Sequence, residues 1–174
     1  MRARTVCETA ISLRVHDPCA WTYHLIEMNR VLALWPAAAF LVACSGPTQL
    51  IVVVDTNLDA PVDIDTVEVI VLDPDGVQTV TPQSVGALGD PVFPLTLGVI
   101  PETGRLGPIS VTAVGRRMGG EVVRVSATGL TLIPGETRVL TLLLLVSCVG
   151  RTCPAGQTCG PAGCVNAAGN VAAL

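Results

Sequence analysis

Apolar residues are arranged in three different ways along the 174 residues of this chain. Between Val31 and Ala43 they form a run of thirteen residues that includes Pro36. From about 48 to 147 they form short β-branched runs cut by Gly, Pro and Asp, the pattern of strands joined by tight turns. From 148 to 174 they thin out, and four cysteines stand among Gly and Pro.

The middle region predicts an all-β domain. Leu50 to Val54 is apolar on both faces, which predicts a central strand. Val67 to Leu72 predicts a second, with Val67, Val69 and Val71 on one face. Leu72-Asp73-Pro74-Asp75-Gly76 then predicts a turn, because Pro fixes φ and Gly takes a left-handed position cheaply. A third strand is expected from Val77 to Thr81. Residues 82–108 carry five prolines, and the one strand that fits there, Val92 to Val99, is expected at a sheet edge. Ile109 to Val114 alternates, Gly115 to Gly120 reads as a hairpin loop, and Glu121 to Ser126 follows as its partner. Pro134-Gly135 favours a type II turn into Thr137 to Val146, the most apolar segment of the domain. That segment is too short for a membrane helix and predicts a strand buried on both faces. Roughly seven strands in about a hundred residues is the count of a single immunoglobulin-like or transthyretin-like sandwich.

The run from 31 to 43 is also too short to span a bilayer, and Pro36 interrupts it. It has the size of a signal-peptide apolar region instead. Met28-Asn29-Arg30 before it supplies a short positive start, which makes 1–27 a mis-assigned or disordered leader and 28–43 the signal. Leu41-Val42-Ala43-Cys44, followed by Ser45, resembles the lipobox that closes a bacterial lipoprotein signal. The resemblance implies cleavage before Cys44, a diacylglycerol thioether on its sulfur and further acylation (palmitate in such proteins). Two or three chains make an effectively permanent membrane anchor, where one would not. Ser after the cysteine accompanies outer-membrane sorting in such families.

The chain from 44 onward divides into a sandwich domain, 44–147, and a Cys-rich tail, 148–174. Together they hold six arginines and eleven acidic residues, a formal net charge of −5, and no Lys, His, Trp or Tyr; Phe93 is the sole aromatic residue. Missing imidazole and amine groups remove Ser-His-Asp, Cys-His and Schiff-base chemistry. An acidic surface without aromatics is unsuited to nucleic acid, and stacking on sugars is unavailable. The composition therefore predicts no enzyme, no cofactor, no nucleic-acid partner and no small-molecule substrate.

Three patterns still carry candidate chemistry. Asp55, Asp59, Asp63 and Asp65 have a Ca²⁺-like cadence, although Ala60 and Thr66 stand where an EF-hand loop needs Gly and Glu. Asp63, Asp65, Asp73 and Asp75 offer carboxylates for a hydrolase without His. Ile100-Pro101-Glu102-Thr103-Gly104 resembles a sortase signal but lies mid-chain and reads as a turn. In the tail, Cys148, Cys153, Cys159 and Cys164 are an even set in an exported chain and predict two disulfides in one of three pairings. A Cys₄ zinc site is the alternative, against which the wide spacing counts. With so few apolar residues, the crosslinks are expected to replace a core.

Lipobox, a body opening Leu50-Ile51-Val52-Val53-Val54-Asp55-Thr56 and a tail running Cys153-Pro154 to Cys159, then Gly160 to Cys164-Val165, together resemble the envelope lipoproteins of myxobacterial type. The resemblance implies an outer-membrane-anchored module without a known activity. The expected function is a non-catalytic sandwich for protein binding, adhesion or scaffolding, with an envelope protein as partner. The alternatives are a Ca²⁺-stabilised module and a carboxylate-only hydrolase.

Overall fold

The computed structural model describes residues 46–101 and 104–168, together with the backbone of 172–173. The leader, the signal and Cys44 lie outside the described residues. The described residues are all-β, and all belong to one compact unit.

β-Branched residues place the strands where turn residues release them. The strands are β1 (Gln49–Thr56), β2 (Thr66–Leu72), β3 (Gln78–Ser84), β4 (Leu95–Val99), β5 (Ile109–Arg117), β6 (Gly120–Leu130) and β7 (Thr137–Leu144). Three short ones follow: β8 (Gln157–Gly160), β9 (Gly163–Asn166) and β10 (Ala172–Ala173). One sheet has the order β10-β7-β1-β4, the other β3-β2-β5-β6, and β8-β9 is a separate hairpin. The two larger sheets share a single core in a β-sandwich-like arrangement. Leu50, Val52 and Val54 of β1 and Leu140, Leu142 and Leu144 of β7 face Val67 and Val69 of β2 and Val111, Val123 and Val125 of β5 and β6.

β1 is central, between β7 and β4, and β4 is an edge strand. The expected strand from Val92 shortens to start at Leu95, since Pro94 cannot donate to a ladder. Pro82, by contrast, lies inside β3, which tolerates it because β3 is also an edge. The loop predicted at 115–120 contracts to Met118-Gly119, whose φ values of 49° and 78° give the left-handed pair of a two-residue hairpin turn. Gly115 therefore belongs to β5, where its missing Cβ matters: one built there would stand 2.8 Å from Val123 Cγ1 and 3.1 Å from Ile64 Cγ2.

Two expectations need correction. β7 is not buried on both faces; Leu140, Leu142 and Leu144 are buried, whereas Thr141 and Leu143 are exposed. On its outer face Thr137 and Val139 are half-buried and the rest exposed, so its uniform hydrophobicity overstated its burial. The tail crosslinks do not replace a core, because Cys148 and Cys159 are buried in the same cluster as the sandwich.

Strand directions give the sandwich two distinct ends. At one lie Gly46, the turn at 73–77, Ile100, the segment 104–108 and the loop at 131–136. At the other lie the loop at 57–65, the segment 85–94, the β5–β6 turn and the start of the tail. Ile64, fully buried, plugs this second end.

Candidate functional site

The two flanks of the sandwich are closed differently. On the β6/β7 flank the tail supplies the closure. Cys148 pairs with Cys159 and Cys153 with Cys164, each across a sequence separation of 11. Cys159 and Cys164 stand opposite each other in the β8–β9 hairpin, so their side chains leave on one face, toward the segment 148–153. The hairpin then docks on the outer edge of β6. Ser126 N–H donates to Thr158 Oγ1 at 2.7 Å, and Thr128 N–H donates to the Ala167 carbonyl at 2.7 Å. Beyond it, β10 pairs with the edge of β7. The tail thus occupies edge groups of both sheets.

The β3/β4 flank stays open, and the reason is visible in β3. The residues paired with Val67, Val69 and Val71 are Gln83, Thr81 and Thr79, so the strand brings no apolar face to the core. A cleft of about 260 Å³ results. Its floor is Val52, Val54, Val67 and Val69, its sides are Leu95 and Leu97 of β4 with Thr81 and Gln83 of β3, and Pro91, Val92 and Pro94 form its rim. Val92 is 83 % exposed and Leu88, just before the rim, fully so. The lining offers aliphatic surface, threonine hydroxyls and one amide, with no acid, base or cysteine. Its chemistry fits aliphatic groups held by contact, not a reaction.

The acidic candidates are scattered. Asp55 accepts the Thr56 N–H at 2.9 Å, and Asp63 Oδ2 accepts the Asp59 N–H at 3.0 Å. Asp65 reaches across to the β5–β6 turn, where Oδ2 accepts the Met118 N–H at 2.7 Å while Oδ1 accepts the Thr66 hydroxyl. The Met118 N–H, with help from the Thr66 hydroxyl and the Arg117 charge, holds the Asp65 carboxyl below its ordinary value of 3.8. Asp55 and Asp63 thus serve their own loop, and Asp65 ties that loop to the β5–β6 turn. No group of three metal-binding side chains forms among the described residues. Asp73 and Asp75 sit at the other end of the sandwich. Asp73 accepts the N–H groups of Asp75 and Val77, and Asp75 is ion-paired with Arg105. The structure does not bring these two to Asp63 and Asp65.

Charge gathers instead on the outer face of the β3-β2-β5-β6 sheet. Arg124 makes a two-pronged pair with Glu121 at 2.9 and 2.6 Å, which lowers the carboxyl and raises the guanidinium. Arg116 meets Glu68 at 2.8 Å. Val114, opposite both Glu68 and Arg124, is fully buried beneath them although it faces away from the core.

The cleft is the feature that sequence reasoning missed. Its signal was present in Gln78 to Ser84, a strand whose alternate positions include no buried apolar set, next to a proline-flanked edge strand. No helix among the described residues is long and apolar enough to cross a membrane. Comparison with protein families, with curated proteins and with solved structures finds no match to this chain.

Proposed function

We propose that this chain is a lipid-anchored protein of the cell envelope whose β-sandwich binds another protein without catalysing a reaction. The observation that carries the binding half is the open cleft: buried valines beneath half-buried Leu95 and Leu97, exposed Leu88 and Val92 beside it, and no acid, base or cysteine in its lining. Such a cleft takes an aliphatic side chain of a partner, in the manner of an interface anchor. The two disulfides support an oxidising compartment. The lipobox at Cys44 supports acylation and an outer-membrane location.

Strand pairing favours a transthyretin-like over an immunoglobulin-like form of the sandwich. An immunoglobulin constant-type domain joins its first strand to its second and its fifth to its fourth. Here β1 lies between β7 and β4, and β5 lies between β2 and β6.

Two measurements test the proposal. Intact mass of the mature protein from its native host should show a start at Cys44 carrying acyl chains, absent in Cys44→Ser; an unacylated mature wild type sinks the anchor. A photo-crosslinking side chain at Val92 should trap a defined protein partner in intact cells, and one at Thr141 should not. Equal trapping at both positions, or none at Val92, sinks the binding role of the cleft.

A further inference from the structure

The end of the sandwich that carries Gly46 is a connected ring of loops. Gly135 N–H donates to Thr48 Oγ1 at 2.8 Å, and Gln49 N–H donates to the Glu136 carbonyl at 3.2 Å, which fixes the loop at 131–136 beside the first described residues. Leu132 N–H donates to the Leu106 carbonyl at 2.6 Å, and Arg105 is ion-paired with Asp75, which joins this loop to the segment 104–108 and to the turn at 73–77. Val99 lies opposite Leu50, so Ile100 emerges at the same end. Around this ring Val77 and Ile100 are each 60 % exposed and Ile133 is 38 % exposed. Two of the acids beside them have partners, since Asp75 has Arg105 and Asp73 accepts two backbone N–H groups, while Glu136 is exposed.

We infer that this end is seated on the membrane surface, with Val77, Ile100 and Ile133 in the lipid interface and the cleft rim held toward the opposite side. The inference rests on the Cys44 anchor proposed above. Cys44 precedes Gly46 by two residues, a tether of at most about 7 Å when fully extended. That is about the thickness of one headgroup layer, so an anchored domain rests against the bilayer surface. Exposure alone would select the other end, where Leu88, Val92 and Met118 are more exposed than any of these three. The tether selects this one. Acids stand at both ends, Asp73, Asp75 and Glu136 at this one and Asp59, Asp63, Asp65 and Asp90 at the other, so charge does not choose between them.

The chain from 44 onward contains no tryptophan, which supplies the test. Val77→Trp, Ile100→Trp, Ile133→Trp and Leu88→Trp are prepared separately as the acylated mature protein, each checked by mass for both disulfides. They are then reconstituted into vesicles of brominated phosphatidylcholine. An interfacial side chain sits about 5–10 Å into the headgroup region, so Trp emission at the first three positions should fall by at least about half. Emission from the Leu88 variant should stay unquenched. Acylated protein that floats with the vesicles yet shows no quenching at the three positions overturns the seating while leaving the anchor standing. Quenching of the Leu88 variant as strong as theirs overturns it equally. Protein without acyl mass that fails to float defeats the anchor itself, and the seating with it.

Discussion

The two flanks of the sandwich solve the same problem in opposite ways. Both are pairs of sheet edges with unpaired backbone groups, a liability in any open sheet. On the β6/β7 flank a crosslinked tail covers the edges and adds Cys148 and Cys159 to the core. On the β3/β4 flank nothing among the described residues covers them. Short strands, prolines and a polar inner face on β3 blunt the edge instead. The closed flank gains crosslinks and buried sulfur, and under the function proposed above the open flank is the one that receives a partner.

The largest effect should come from breaking the closure. Replacing Cys148 and Cys159 together by Ala removes a loop constraint worth about 3 kcal/mol, plus about 1–2 kcal/mol of buried packing. Cys153 and Cys164 close a loop of the same sequence separation, but Cys153 is only partly buried against the core and Cys164 is exposed, so their joint replacement should cost the constraint and little packing. Urea denaturation of both pairs without reductant measures the difference. Equal losses would mean that the buried bond contributes nothing through the core.

Overpacking provides the next contrast. Gly115→Ala inserts a methyl against Val123 and Ile64 and should destabilise by about 1–3 kcal/mol. Leu97→Phe points into the cleft and should change stability by no more than about 0.5 kcal/mol, while weakening partner capture at Val92. A Leu97→Phe loss as large as that of Gly115→Ala would show the open flank to be packed after all.

Smaller effects are expected at the end that joins the flanks. Asp65 has a depressed carboxyl in the folded state, so its contribution is present above the ordinary carboxylate value and is lost as pH falls through the lower, folded one. Thermal melts should show wild type and Asp65→Asn differing at neutral pH and converging in strong acid; a constant gap would contradict the Met118 contact as its source. The smallest effect concerns calcium. With no three carboxylates converging among the described residues, melts in calcium and in chelator should superimpose. A calcium-dependent rise would return Asp55, Asp59, Asp63 and Asp65 to consideration.

Much of the fold could be read from local pattern, and the limits of that reading are physical. Val67, Val69 and Val71 announced β2 because alternation is a property of one strand. The turns at Asp73 to Gly76 and Pro134-Gly135 were legible because Gly and Pro act on their own backbone. What could not be read were relations between distant segments. Nothing near Gln49 states that it lies beside Thr137, and nothing near Cys148 selects Cys159 among three partners. β7 was misjudged for the same reason, since Leu143 is as apolar as Leu142 and only the neighbouring layer decides which is covered. The cleft is an absence of packing between β3 and β4, and no single residue encodes an absence.

The parallel pairing of β1 with β7 has a consequence for load. Eight residue pairs, from Gln49 beside Thr137 to Thr56 beside Leu144, join the first strand to the last strand of the sandwich body. Tension applied between the start of β1 and the end of β7 runs along both strands, so their ladder bonds resist in shear and must rupture together. The β2–β3 hairpin, pulled at Thr66 and Ser84, would peel open one rung at a time. Single-molecule pulling at Gly46 and Val146 should therefore need more force than pulling at Thr66 and Ser84. Under the function proposed above, a module anchored at one end and bound at the other would carry tension along this pairing as a tie.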